Sequence, residues 1–326
     1  MATAEKAIAL RGNSGESPWM GLPAVRAEDD PSTMELLERA GLTGWDVRKR
    51  LIETDATPLG GEDYEVLADI NGQVRRMSIA GERYETVQNE DLAIMGDTIT
   101  DGGASLYVAG SYRNYRSIFL GFQLGDDIVL DPEGQADRIG QWMTLLTSHD
   151  GTVGVGGFTY DMRLACQNQL TSQKSNALGR FTFRHTKNVA GRIEAARKAL
   201  SIGFRASEAL AEEMEFLIQQ DMSDKAFWDL VKDIYPEPEE DVKGSLTKWT
   251  NKTDSIVAAW NSEEGNMSNL DKTAYRAYNA LNEQLLWGGS VRDGNSEGVF
   301  IRTGGFDNAT NEKNLVLAKR VKAAVS

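Results

Sequence analysis

The hydrophobic period of this chain changes once, near residue 188, and that change limits the folds open to it. Before it, apolar residues come in short runs broken by Gly, Asn and Asp; after it they recur at three- and four-residue steps. Ile193, Ala196, Leu200, Phe204, Ser207, Leu210, Met214 and Leu217 trace one stripe, the mark of a long amphipathic helix. Strands first and helices second is the order of an α+β fold. The expected architecture is therefore a mixed or antiparallel sheet in the N-terminal half, followed by a long helix and a helical C-terminal region.

Local signals divide the chain further. Residues 1–30 read as an irregular N-terminal arm anchored by Trp19, Met20 and Leu22, residues 31–222 as an α+β core, and residues 223–326 as a mainly helical region. Ser32 and Glu35 make a capping box for a first short helix, which Gly41 closes. Between 63 and 88, alternating residues flank Asn71-Gly72, a two-residue hairpin signal. Asn89 is expected to cap a helix through Met95, and strands are expected between Leu106 and Leu130, broken at Gly110 and Gly125. Residues 137–146 suit a short helix or a strand, and 152–160, 160–168 and 180–185 read as strands. Helices are expected over 224–234, stopped at Tyr235-Pro236-Glu237-Pro238, then over 246–260 and 270–287. A Gly/Asn-rich loop over 288–311 precedes a final helix at 312–324.

With 326 residues, 40% of them hydrophobic and 26% charged, the chain can bury a sizeable core. No apolar run approaches the roughly 18 residues of a membrane span, and the opening MATAEKAIALRG has a short apolar stretch that Arg11 interrupts. The single cysteine, Cys166, excludes an internal disulfide and fits a reducing compartment, so a cytoplasmic protein is expected. A net charge of -14 argues against a protein that coats nucleic acid with its whole surface.

The charge is nevertheless segregated. Residues 151–200 carry eight basic residues against two acidic ones, whereas 208–264 carry 15 acidic and five basic. In a strand over 180–185, Arg180 and Arg184 share one face; in a strand over 160–167, Arg163 faces the polar side with Asp161. Lys174, Lys187 and Arg192 extend the basic segment, and Tyr112, Arg113, Tyr115 and Arg116 place aromatic rings beside cations, as single strands exploit for stacking and phosphate contact. Arg75, Arg76 and Arg83 lie on the earlier hairpin. Three uses fit this pattern: the wet side of a half-buried sheet, a nucleic-acid groove, or pairing with the acidic region of a neighbouring subunit.

Catalytic chemistry has little support. His149, His185 and Cys166 show no recognised metal spacing, so no metal, cofactor or catalytic residue is assigned. Ser148-His149-Asp150-Gly151 contains triad residue types, but neighbours in a turn rarely converge, and a chain reversal is the better reading. Gly151 to Gly157 lacks the Gly-Lys-Ser/Thr of a phosphate loop, and Cys166 reads as a small buried side chain.

Several motifs occur in order: Pro18-Trp19-Met20-Gly21-Leu22, Arg83-Tyr84-Glu85-Thr86-Val87-Gln88-Asn89, Thr147-Ser148-His149-Asp150-Gly151, Cys166-Gln167-Asn168, Arg184-His185-Thr186 and the stretch from Thr273 to Ala280. Together they resemble a phage- and plasmid-like family of unknown function that is also found in prophages, over most of the chain, with Met20 in place of that family's usual histidine. The resemblance implies a mobile-element protein acting in the bacterial cytoplasm and supplies no catalytic residue. The leading expectation is a non-enzymatic DNA-metabolism protein that binds single-stranded DNA as a homo-oligomer, with annealing or recombination added by analogy. The alternative is a structural or host-interaction protein of a mobile element that makes contact through its acidic surface.

Overall fold

The computed structural model describes residues 8–11, 24–27, 31–55, 61–166, 168–170, 181–183, 189–240, 242–288 and 307–326. Strands β1 (Ile8–Arg11), β2 (Ala24–Ala27), β6 (Ser105–Tyr112), β7 (Ser117–Gln123), β8 (Ile128–Leu130), β9 (Asp137–Ser148), β10 (Val155–Arg163), β11 (Asn168–Leu170) and β12 (Phe181–Phe183) form one nine-stranded sheet. Its order is β11-β10-β9-β7-β6-β1-β2, with β12 also on β10 and β8 also on β9. Every pairing is antiparallel except β1 with β2, so the sheet is mixed. Strands β3 (Arg48–Leu51), β4 (Asp63–Ile70) and β5 (Gln73–Gly81) form a second, three-stranded sheet around the expected Asn71-Gly72 hairpin.

Helices α1 (Thr33–Arg39), α2 (Asp91–Asp101), α3 (Val189–Ile218), α4 (Asp224–Ile234), α5 (Ser245–Asn261), α6 (Ala274–Trp287) and α7 (Asn308–Ala323) complete the α+β fold. Their starts follow capping chemistry: Ser32 and Glu35 bond reciprocally, and Ser223, Thr273 and Asp307 accept from first-turn amides. Among the described residues, no helix is long and apolar enough to cross a membrane.

Several boundaries differ from the expectation. Two strands of the large sheet fall inside the segment expected to be an irregular arm. Asn89 does not cap α2, because its carboxamide donates to the Leu42 carbonyl at 2.7 Å and meets His149 Nε2 at 2.8 Å; the helix starts at Asp91 and runs to Asp101. Gly110 lies inside β6, and the chain turns at 113–116 instead. Residues 137–146 are a strand, and 155–163 are one continuous strand.

Alternation sorts the large sheet into two faces. Ile118, Leu120, Phe122, Met143, Leu145 and Val155 pack with Leu36 and Leu37 of α1 and Leu92, Met95 and Ile99 of α2, with Phe204 of α3 against them. On the other face, Tyr112, Phe119, Trp142, Leu146, Phe158, Tyr160 and Met162 form an aromatic cluster. All nine residues of β10 are buried, so neither face of this strand is wet. Gly203 lets α3 approach closely, since a Cβ there would lie 2.5 Å from Thr159 Cγ2.

The distal half of α3 enters a second core. Leu210, Met214 and Leu217 meet Phe227 and Leu230 of α4, Ile256 and Trp260 of α5, Tyr275, Tyr278 and Leu281 of α6, and Leu317 and Val321 of α7. This core takes residues from both sides of position 222.

Polar ties join it to the sheet. Arg163 is 0% exposed and pairs through Nε and Nη2 with both oxygens of Asp137, at 2.8 and 2.9 Å. Its remaining donors reach Asn269 Oδ1 at 2.8 Å and the Asn266 carbonyl at 2.5 Å, while Tyr275 donates to Asp137 at 2.8 Å. The placement of Arg163 on a solvated side is thereby corrected: the helical region covers that face, and a carboxylate neutralises the guanidinium. Nearby, Asn282 and Asn314 donate to the Gln169 carbonyl at 2.7 and 2.6 Å, which occupies a backbone acceptor of the short strand β11.

Arg163→Ala strands Asp137 in the interior and should cost about 3–5 kcal/mol in urea denaturation, with Asp137→Asn in the same chain recovering part of the loss. Asp161, buried beneath α3, has its pKa pushed up to about 7 by burial, against the opposing hydrogen bond from Ser207 Oγ. A carboxyl with a raised folded pKa contributes most below its unfolded value, and that contribution fades as pH rises from about 4 to about 7. Asp161→Asn should flatten this part of the stability-pH curve and be more stable than the parent at pH 8, as read by thermal melts.

Candidate functional site

The turn between β6 and β7 has an unusual backbone. Arg113, Asn114 and Tyr115 have φ of 58, 55 and 63°, three successive left-handed residues of which none is glycine. Asn tolerates this region, whereas other L-residues lose about 1–2 kcal/mol each there. Burial of Tyr115 holds the turn in place. The residue is 5% exposed, and its ring meets Trp45 edge-on at 5.7 Å and carries the Arg75 guanidinium 5.5 Å above its centroid. The Arg116 carbonyl accepts from the His149 amide at 2.8 Å, tying the turn to the next one.

That next turn, 149–154 between β9 and β10, is built by short side chains. Ser148 Oγ donates to the Val153 carbonyl at 2.8 Å and accepts from the Val153 amide at 2.9 Å. Asp150 accepts from the amide and the hydroxyl of Thr152, at 3.0 and 2.5 Å, and Gly151 supplies a φ of 71°. Arg113 Nη1 donates to Thr152 Oγ1 at 2.7 Å, so the two turns share one polar chain. Partial burial pushes the Asp150 carboxyl up, but the Thr152 hydrogen bonds and the Arg113 charge hold it below the ordinary range. Tyr84, which reaches the Ser148 carbonyl at 3.5 Å, is pushed up to about 12 by burial and the Asp150 charge.

Ser148, His149 and Asp150 form no triad, because the Ser148 hydroxyl helps to lower the Asp150 carboxyl within the turn while the imidazole is bonded elsewhere. Serine bonds to Val153, aspartate to Thr152, and the buried imidazole to Asn89 on the opposite side. Ser78 of β5 donates to the His149 carbonyl at 2.8 Å, bringing the three-stranded sheet against the turn. Between them lies a concavity of about 520 Å³ lined by Arg76, Ser78, Ile79, Arg113, Arg116, Asp150 and Thr152 among others. The three arginines are exposed, and Asp150 is the one acidic residue of the lining. Arg76 is steadied by Glu65 at 3.2 Å. Such a surface can hold an anion, because planar guanidinium groups present paired donors to phosphate or carboxylate oxygens.

Arg113 and Arg116 are thus brought together, and Arg163 is not: it lies in the buried tie to Asp137. The stacking role expected on the surface for Tyr112 and Tyr115 is corrected, since the two residues are 3% and 5% exposed. Tyr112 packs against Phe119 at 6.2 Å, and Tyr115 anchors the strained turn. Lys174, Arg180, Arg184 and Lys187 lie outside the described residues, and Arg192 stands near the start of α3. Arg76 and Thr152 complete the site although sequence reasoning did not assign them to it. Neither position carries a local signal, because packing between the two sheets joins residue 76 to residue 113. Among the described residues, no group of three or more His, Cys, Asp or Glu could hold a metal ion, and Cys166 is a buried free thiol raised by burial.

No curated protein and no solved structure matches the chain. One family model, Domain of unknown function (DUF932), matches residues 76–303. That span includes every residue lining the arginine concavity, both turns beside it and the Arg163–Asp137 tie. Covering more than half of the chain, the match makes this protein a member of the DUF932 family.

Proposed function

We propose that this protein binds single-stranded nucleic acid through a phosphate-contacting surface centred on Arg76, Arg113 and Arg116. The observation that carries the reading is the strained left-handed turn, which holds two exposed arginines beside a third around one concavity. Backbone strain retained at a solvent-facing cationic turn is a mark of functional constraint. Phosphate contacts require no base-specific geometry, which suits binding to any sequence. The setting in this proposal is DNA metabolism of a phage or plasmid in the bacterial cytoplasm, with strand annealing as the activity served. The segregation of a basic 151–200 from an acidic 208–264 supports assembly as a homo-oligomer, in which one subunit's negative surface meets the next subunit's positive one.

Fluorescence anisotropy with labelled single strands over a salt series tests the binding surface. Arg113→Ala with Arg116→Ala should reduce the magnitude of the salt slope by about 1.4, or about 0.7 per lost phosphate contact, and should weaken all sequences alike. Absence of binding at low salt, or an unchanged double variant, would overturn the proposal in favour of a protein-interaction role. Light scattering at micromolar concentration should report a species larger than a monomer.

A further inference from the structure

The walls of the arginine concavity are β5, the 113–116 turn and the 149–154 turn, and each wall is tied to the next. Ser78 of β5 donates to the His149 carbonyl at 2.8 Å, and Arg75 of β5 lies over the Tyr115 ring. The two turns are joined twice, by the His149 amide to the Arg116 carbonyl and by Arg113 to Thr152. The base of the recess is therefore closed, and the group that fills it best is one that ends there.

Charge sets a second constraint. Glu65 is shared by Arg50 and Arg76, at 2.5 and 3.2 Å, so that cluster carries one net positive charge. Arg113 and Arg116 add two more and Asp150 removes one, leaving a net charge of two positive around the concavity. A phosphodiester within a strand carries one negative charge, whereas a terminal phosphomonoester carries about −1.5 to −2 at pH 7 and presents three acceptor oxygens. We infer that the concavity receives the terminal phosphate of a strand, so that the protein engages strand ends in preference to strand interiors. This inference rests on the proposed function and deepens it.

The donors suit such a group. Three guanidinium groups, each with paired donors, face three acceptor oxygens. Asp150 accepts from the Thr152 hydroxyl, which in turn accepts from Arg113, so this guanidinium is oriented before a ligand arrives. Exposed Ile79 lines the same concavity and gives apolar contact to the sugar that follows the phosphate. The second ionisation of a phosphomonoester lies near pH 6. Around it the arginines keep their charge, Glu65 is held below the ordinary carboxyl range by its Arg50 hydrogen bond, and the partial burial of Asp150 is outweighed by its Thr152 hydrogen bonds. Tyr84 is pushed up to about 12 by burial, and the His149 imidazole is turned away to Asn89.

The test is anisotropy on the full chain with one single-stranded sequence in three forms: 5′-phosphorylated, 3′-phosphorylated, and unphosphorylated but lengthened to the same net charge. An added charge-assisted contact should make a phosphorylated form bind about tenfold tighter than the unphosphorylated one at about pH 8, and the arm that gains identifies the end. That ratio should shrink toward about pH 5 as the phosphate takes up a proton. Arg76→Gln, at an exposed position of β5, and Arg113→Ala with Arg116→Ala should each reduce the ratio, with near-ultraviolet circular dichroism verifying that both variants fold. Equal binding of the three strands overturns end recognition while leaving the phosphate surface standing. A full ratio in both folded variants, or one that does not change with pH, also overturns it, and absence of binding by every strand removes both readings.

Discussion

An arginine can be buried only where its donors find acceptors, and the way Arg163 meets that condition decides how sheet and helices are joined. Its guanidinium spends two donors on Asp137 of the neighbouring strand and two more on Asn266 and Asn269, which lie between α5 and α6. The connection from α5 to α6 is therefore drawn onto β9 and β10. Arg276 holds the same connection from beneath by donating to the carbonyls of Trp260, Ser262, Met267 and Leu270. Removing one partner of such a cluster leaves a charge uncompensated, which is why it behaves as a clamp and not as independent bonds.

The clamp sits at one end of the β9–β10 pair, and the candidate site sits at the other. A hairpin buried on both faces is stiff, so its turn is a good mount for side chains that must hold their geometry. Three residues in the left-handed region complete the arrangement at the adjoining turn, their conformational cost offset by the burial of Tyr115 against Trp45. The buried members of the Ser148-His149-Asp150-Gly151 motif serve this mount: His149 ties Asn89 to the turn, and Ser148 closes the turn upon itself.

What was legible in the sequence was whatever depends on near neighbours. The Ser32–Glu35 cap, the Asn71-Gly72 hairpin and the long stripe of α3 are encoded within a few residues of themselves, and the structure has all three. Alternation was also legible, but it shows only which residues share a face. It cannot reveal that a helical region a hundred residues away covers Arg163, or that Phe119 and the other rings of neighbouring strands bury Tyr112, so Arg163 read as a surface cation and Tyr112 as a stacking platform. The arginine concavity was half visible: Arg113 and Arg116 are neighbours in sequence, while Arg76 joins them through packing of one sheet on another. Asn89 has a cap's residue type, yet the distant His149 and Leu42 claim its carboxamide.

The central claim is that two adjoining turns, 113–116 and 149–154, form the surface that a single strand covers. Amide hydrogen exchange with and without a short single-stranded oligonucleotide locates that surface directly. The account requires slowed exchange in both turns and in the facing part of β5, with the acidic connection between α4 and α5, which carries Glu237, Glu239 and Glu240, unaffected. Protection confined to that connection, or no change at 113–116 and 149–154 with the oligonucleotide bound, would contradict it.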